Sequence, residues 1–269
     1  MFKYAHLTFS VNCAYYLIVN SQATDIQAVE QFHLLFLAHL GARVDKKLYA
    51  LKGGCNLRFF WKSIRYSQDI DFDVHTIAKG SLQKNVTRIL EDPGFARILS
   101  AHKLEILRFS QPKQTDTTQR WKVHVRSGAS APLPTKVEFS RRKFSHGLVF
   151  EPVDPEIIRA YNLRPTFASH YDLETAFAQK IEALIGRSET QARDLFDLAH
   201  LADRGATGAR VNRDRKVLTT ARDNVSSVPF AQFKSQVVAF LPAEYGDYYG
   251  KEQTWETLQE KVINLLEGL

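Results

Sequence analysis

A chain of 269 residues, 44% of them hydrophobic, can bury one large core or two modest ones, and 24% charged with 12% aromatic residues excludes extended disorder. No apolar run is long enough for a membrane span: Val11–Val19 is short, and with only Lys3 before it lacks the basic start of a secretory leader. Two cysteines, Cys13 and Cys55, exclude a disulfide framework or cysteine-ligated zinc and point to a cytoplasm, while a net charge of +7 favours polyanionic partners: nucleoside triphosphates, nucleic acid or an acidic protein.

The first periodic segment predicts a helix over residues 25–42. Asp25 stands at its cap, Ala28, Phe32, Leu35, Phe36 and Leu40 form its apolar face, and Gly41 is its stop. Leu48 to Leu51 reads as a short strand entering Gly53 and Gly54, Asn56 to Ser63 as one or two helical turns, and Ile70 to Val74 as a second strand. A helix over 81–91 follows, then a turn at Asp92-Pro93-Gly94. Strands are predicted at Lys103–Phe109, Trp121–Arg126, Thr135–Phe139 and Gly147–Val153, with polar loops over Ser110–Arg120 and Ser127–Pro134. After Pro155 the strand signal fades, and residues 172–186, 190–203 and much of 209–269 carry helical periodicity, broken at Gly205 and Gly208. The fold class is therefore α+β: a mixed sheet with helices over 1–155, then a mainly helical part over 156–269.

Two segments carry the chemistry. Lys52-Gly53-Gly54-Cys55-Asn56-Leu57-Arg58 places a glycine pair at a helix start, where missing side chains let backbone N–H groups approach a phosphate. Ser67-Gln68-Asp69-Ile70-Asp71-Phe72-Asp73 then alternates carboxylates with apolar residues, so that Asp69, Asp71 and Asp73 share one strand face. Like charges along one face repel and give a purely structural sheet nothing, whereas magnesium takes oxygen ligands and brings phosphates with it. Glu138, alone between Val137 and Phe139, supplies a further carboxylate from another strand. Asp69, Asp71 and Glu138 are thus the candidate metal ligands, and Gly53 and Gly54 the candidate phosphate cradle. For Asp73 a metal role competes with capping the following loop or pairing with a lysine.

This pattern resembles the nucleotidyltransferase superfamily, whose signature is a Gly-Gly or Gly-Ser turn, an Asp-x-Asp strand and a later acidic residue. Within it, L-K-G-G-C-N-L-R, S-Q-D-I-D-F-D and the later R-D-L-F-D-L are similar to the AbiEii/AbiGii abortive-infection toxins, with which the MenT-type toxins belong. The resemblance spans roughly residues 48–203, although Cys55 and Asn56 stand where the family more often has Thr or Ser and then Ala. It implies Asp69 and Asp71 as metal ligands and catalytic residues, Ser67 as the serine preceding the acidic pair, and a triphosphate contact from Lys180. Lys180, Leu184 and Arg187 fall on one helical face, placing Arg187 beside the nucleotide. Asp194 would assist the acceptor hydroxyl or orient Lys180, and Asp197 would bond Arg193 or Arg187. The resemblance further implies Mg2+ as cofactor, a nucleoside triphosphate substrate, a tRNA 3′ end or a protein side chain as acceptor, and a cognate antitoxin.

From the residues alone, a metal-dependent nuclease and a non-catalytic nucleotide-binding module also fit clustered carboxylates. Three basic groups are candidates for a polyanion. Arg141, Arg142 and Lys143 follow Glu138 and are expected near the site, and Arg210, Arg213, Arg215 and Lys216 form a second cluster. Lys122, His124 and Arg126 line one face of a strand, where a solvated surface is the ordinary explanation.

Overall fold

The computed structural model describes residues 25–141, 146–212 and 214–269. Cys13, Val11–Val19, Arg142, Lys143 and Arg213 lie outside them.

Helix α1 occupies residues 25–43, with Asp25 already inside it rather than capping it. The chain continues through β1 (Tyr49–Lys52), α2 (Gly53–Phe60), β2 (Ile70–Val74), α3 (Lys79–Leu90) and α4 (Pro93–Ala101). Next come β3 (Leu104–Gln114), β4 (Thr118–Ser127), β5 (Leu133–Arg141), β6 (Leu148–Pro152), α5 (Pro155–Ala160) and β7 (Phe167–Tyr171). From there the described chain is helical: α6 (Leu173–Gly186), α7 (Ala192–Asp203), α8 (Arg215–Ser226), α9 (Phe230–Gln236), α10 (Gly246–Tyr249) and α11 (Glu252–Glu267).

The strands form one mixed seven-stranded sheet in the order β3-β4-β5-β2-β1-β7-β6. β2 runs parallel to β5, with Asp71 opposite Glu138 and Phe72 opposite Phe139, while β1 pairs antiparallel with β2 and parallel with β7. Period-two alternation sorts these strands: Ile70, Phe72, Val74, Trp121, Val123, Val125, Val137 and Phe139 face a core closed by α1, α3 and α4. Phe72 stacks on Phe139 at 4.8 Å and Trp121 meets Phe139 edge-on at 5.8 Å. Each of these fully buried rings contributes on the order of 2–3 kcal/mol.

A second core gathers Phe177, Ile181, Leu184, Leu195, Leu198, Phe233, Trp255 and Val262 from the C-terminal helices, and Leu57 of α2 belongs to it. The two cores are joined by the segment after α2. The Trp61 carbonyl accepts from His200 at 2.7 Å, and the Tyr66 N–H donates to the Phe240 carbonyl at 2.9 Å.

Further expectations about elements are corrected. Past Pro155, where the strand signal fades in the sequence, β7 still joins the sheet between β1 and β6, its place set by pairing with those strands and not by its own pattern. Asp92-Pro93-Gly94 starts a helix instead of making a free turn: the Asp92 carboxylate accepts from Gly94 N–H, and Pro93 takes the first helical position, where no N–H is needed. The segment Ser110–Arg120 is mostly strand, because β3 runs to Gln114 and β4 starts at Thr118 around a short turn. This end of the hairpin carries little apolar alternation for a sequence pattern to reveal.

Candidate active site

β1 passes directly into α2, and the junction sets the site. Gly53 has φ +65°, a left-handed conformation that side chains resist, and a Cβ there would come within 3.3 Å of an Asp71 oxygen. A Cβ on Gly54 would lie 2.7 Å from Ser67 Oγ and 3.1 Å from an Arg65 guanidinium nitrogen. The glycine pair therefore lets the acidic strand and the 65–67 segment close upon the start of α2. No side chain caps α2, so its first N–H groups have no side-chain partner beside a cleft that Gly53 and Gly54 line.

Asp71 and Glu138 face each other from adjacent parallel strands. Just ahead of β2, Asp69 accepts from the Lys136 backbone N–H at 3.0 Å and pairs with Lys136 Nζ at 2.7 Å. Glu138 pairs with Arg120 at 2.5 Å. Asp71 makes no ion pair among the described residues. Burial, followed by repulsion from Asp69 and Glu138, pushes its carboxyl above the ordinary value against the pull of Lys52 and Lys136. The third carboxylate on this face has a different role: Asp73 is buried, held by Lys52 Nζ at 2.5 Å and the Tyr171 hydroxyl at 2.8 Å. Of the alternatives for Asp73, the structure displays the lysine pairing.

The opposite wall comes from α6 and α7. Lys180 Nζ lies 2.9 Å from Asp194 Oδ1 and 2.6 Å from Asp197 Oδ2, and Arg187 Nε lies 3.0 Å from Asp194 Oδ2. Both carboxylates are completely buried. Asp197 accepts from Arg65 through both of its oxygens, at 2.9 to 3.1 Å. Burial alone would raise the Asp197 pKa, but Arg65 and Lys180 outweigh it and hold the carboxyl well below the usual range. The expectation that Asp197 bonds Arg193 or Arg187 is thus corrected, since its partners are Arg65 and Lys180.

Between these walls lies a cleft of about 320 Å³, lined by Gly53, Gly54, Ser67, Asp69, Asp71, Glu138, Lys180 and Arg187. An adjoining lobe of about 440 Å³ shares Gly53, Asp71, Lys180 and Arg187 and adds Asp73 and Asp194. Each candidate metal, nucleotide and catalytic residue thus borders one or both of these cavities. Ser67 lines it while its hydroxyl donates to the Asp69 carbonyl at 2.8 Å, shaping the entry into β2. Cys55 and Asn56 turn away into the interior: the Cys55 thiol is buried against His33 and the Asp69 carbonyl, and Asn56 donates to the Tyr171 carbonyl. Arg65, Arg120 and Lys136 are site residues that the sequence reading did not single out. Strand alternation would have found Lys136, two residues before Glu138, whereas no local signal marks Arg65.

Of the basic residues after Glu138, Arg141 faces away. Arg141 lies an odd number of positions from Glu138 and so points to the other face, where it donates to Gln119 at 3.0 Å and to the Ile77 carbonyl at 2.6 Å. It does not border the cleft.

Among the described residues, no group of three or more Asp, Glu, His or Cys side chains is arranged to hold a metal ion, and Asp69 and Glu138 are paired with Lys136 and Arg120. The donor chemistry nevertheless suits a hard divalent cation: three carboxylates line one cleft, and burial, then repulsion from the other two, makes Asp71 costly to ionise without a cation.

The family model for the nucleotidyl transferase AbiEii toxin of type IV toxin–antitoxin systems matches residues 35–262. Among solved structures, the chain is similar to MenT4, the nucleotidyltransferase toxin Rv2826c from Mycobacterium tuberculosis H37Rv, with TM-score 0.60, 20% identity, and 92% of this chain and 86% of that chain covered. It is also similar to JHP933 from Helicobacter pylori, with TM-score 0.53, 19% identity, and 90% and 94% coverage. At such identities these two structures speak for the fold. No curated protein matches the chain.

Proposed function

The chain belongs to the AbiEii family of nucleotidyltransferase toxins, and from that footing we propose that it transfers a nucleoside monophosphate from a triphosphate to the 3′ hydroxyl of tRNA with Mg2+ as cofactor. Nucleotidyl transfer from a nucleoside triphosphate is the activity of the family, and a type IV toxin–antitoxin assignment implies an antitoxin partner. No helix among the described residues is long and apolar enough to cross a membrane. The cytoplasm is the compartment where triphosphate and tRNA meet.

The observation that carries the reading is the convergence of Asp69, Asp71 and Glu138 with the Gly53–Gly54 helix start and Lys180 around one cleft. In transfer, the acceptor hydroxyl gives up its proton to water as its oxygen bonds to the α-phosphorus, the bond to the bridging oxygen breaks, and pyrophosphate leaves. Asp69, Asp71 and Glu138 would hold the cation, which when bound neutralises phosphate charge and aligns the acceptor hydroxyl. The uncapped N–H groups of α2 bind phosphate oxygens. Lys180 and Arg187 face the departing pyrophosphate and offset its charge. Asp194 orients Lys180 through Oδ1, while its Oδ2, near Arg187 but without a hydrogen bond, is left to assist the acceptor hydroxyl.

The test is incubation with each α-labelled triphosphate, Mg2+ and total RNA. Label is expected in the tRNA band, with stoichiometric pyrophosphate, and none with Asp71→Asn. Label travelling only with protein would overturn the tRNA acceptor, and label in neither would overturn the transfer.

A further inference from the structure

We propose that the acceptor RNA enters along the outer face of β4 and β5, with its single-stranded end lying across Lys122, His124 and Lys136 and reaching the carboxylates at Asp69. The inference rests on the reading of tRNA as acceptor.

A groove of about 580 Å³ runs over this face and opens into the catalytic cleft, the two spaces sharing Gln68, Asp69, Arg120, Lys136 and Arg193. Arg120, Lys122 and His124 alternate with the core residues Trp121 and Val123, so the three form a row on one face. Successive members are about 6.7 Å apart by strand geometry, a spacing suited to consecutive phosphates of an extended strand. The row ends at Arg120, beside Glu138.

The charge pattern is costly to the sheet itself. Lys122 and Lys136 are directly opposed register partners, an arrangement that destabilises a strand pair. Lys136 leans towards Asp69, while Lys122 is exposed and Arg193 half-buried, and neither makes an ion pair among the described residues. By contrast, Arg126 on the same strand is paired with Glu105 and lies off the groove. Charges left unpaired beside a site that must receive an acceptor fit a polyanion. Arg210 does not compete for this role, since it is tied to Asp172 and Thr175 and borders neither space.

The experiment compares the full-length wild type with Lys122→Glu, Lys122→Glu/His124→Glu and the charge-conserving Lys122→Arg, each checked by thermal melting. Binding of bulk tRNA is followed by fluorescence anisotropy across a salt series, and triphosphate affinity is measured separately. The double variant should bind tRNA about tenfold more weakly, and the slope of log affinity on log salt should fall by about 0.7 for each phosphate that the protein no longer neutralises. Lys122→Arg should behave as wild type, and triphosphate affinity should not change in any variant. Unchanged tRNA affinity and slope in the double variant, while the wild type labels tRNA, would overturn the groove and leave the acceptor reading standing. A parallel loss of triphosphate affinity would also overturn it, because the face would then serve the nucleotide. A wild type that binds no tRNA and labels protein would remove the acceptor reading, and the groove with it.

Discussion

Replacing Asp197 by Asn removes one negative charge from between two cations while keeping the side chain's shape. Asp197 has no exposed surface and accepts from Arg65 through both oxygens and from Lys180 at 2.6 Å. Arg65 is itself buried, so the substitution strands positive charge in a low-dielectric interior. Breaking a buried ion pair from one side costs about 3–5 kcal/mol, which lowers the melting temperature of a protein of this size by roughly 10 °C. The pH dependence supplies a sharper check. The folded-state pKa of Asp197 is lowered, so its stabilisation is fully present above the unfolded value of about 4 and is lost as pH falls towards the folded one. The gap between wild type and Asp197→Asn in urea denaturation should therefore be constant from pH 7 to about pH 5 and narrow below pH 4. Equal stability at pH 7, or a gap independent of pH throughout, would refute the network as drawn.

Asp71→Asn should abolish transfer yet raise the melting temperature of the nucleotide-free protein by a degree or two, because it removes a buried charge and its repulsion from Asp69 and Glu138. Asp69→Asn should abolish transfer without that gain, since Asp69 is paired with Lys136, and calorimetry of the two variants separates the cases. Gly54→Ala should displace Ser67 and Arg65 from the start of α2 and reduce turnover by at least tenfold, read in a pyrophosphate-release assay. Lys180→Ala should raise the KM for triphosphate and also destabilise the fold, because Asp194 and Asp197 each lose a cation; an unaltered KM would make α6 a scaffold only.

The glycine turn and the acidic strand were legible because each depends on local geometry, whereas β7, past Pro155, joins the sheet only through its pairing with β1 and β6. Period-two alternation assigns Asp71 to one face and Phe72 to the other whatever the rest of the chain does. The same alternation assigns Arg141 to the face opposite Glu138, so nearness in sequence does not bring it to the cleft. Asp92-Pro93 was equally legible, as a helix start instead of a turn. Other features depended on which strands became neighbours. Only the parallel pairing of β2 with β5 sets Glu138 against Asp71, and only the antiparallel pairing of β4 with β5 brings Arg120 to Glu138 and Lys122 to Lys136. Arg65 and Asp197 are 132 residues apart, and neither has local company that foretells the other. A side chain's period is a property of its own segment, whereas the partner of a buried charge is decided by the packing of two cores that no single segment encodes.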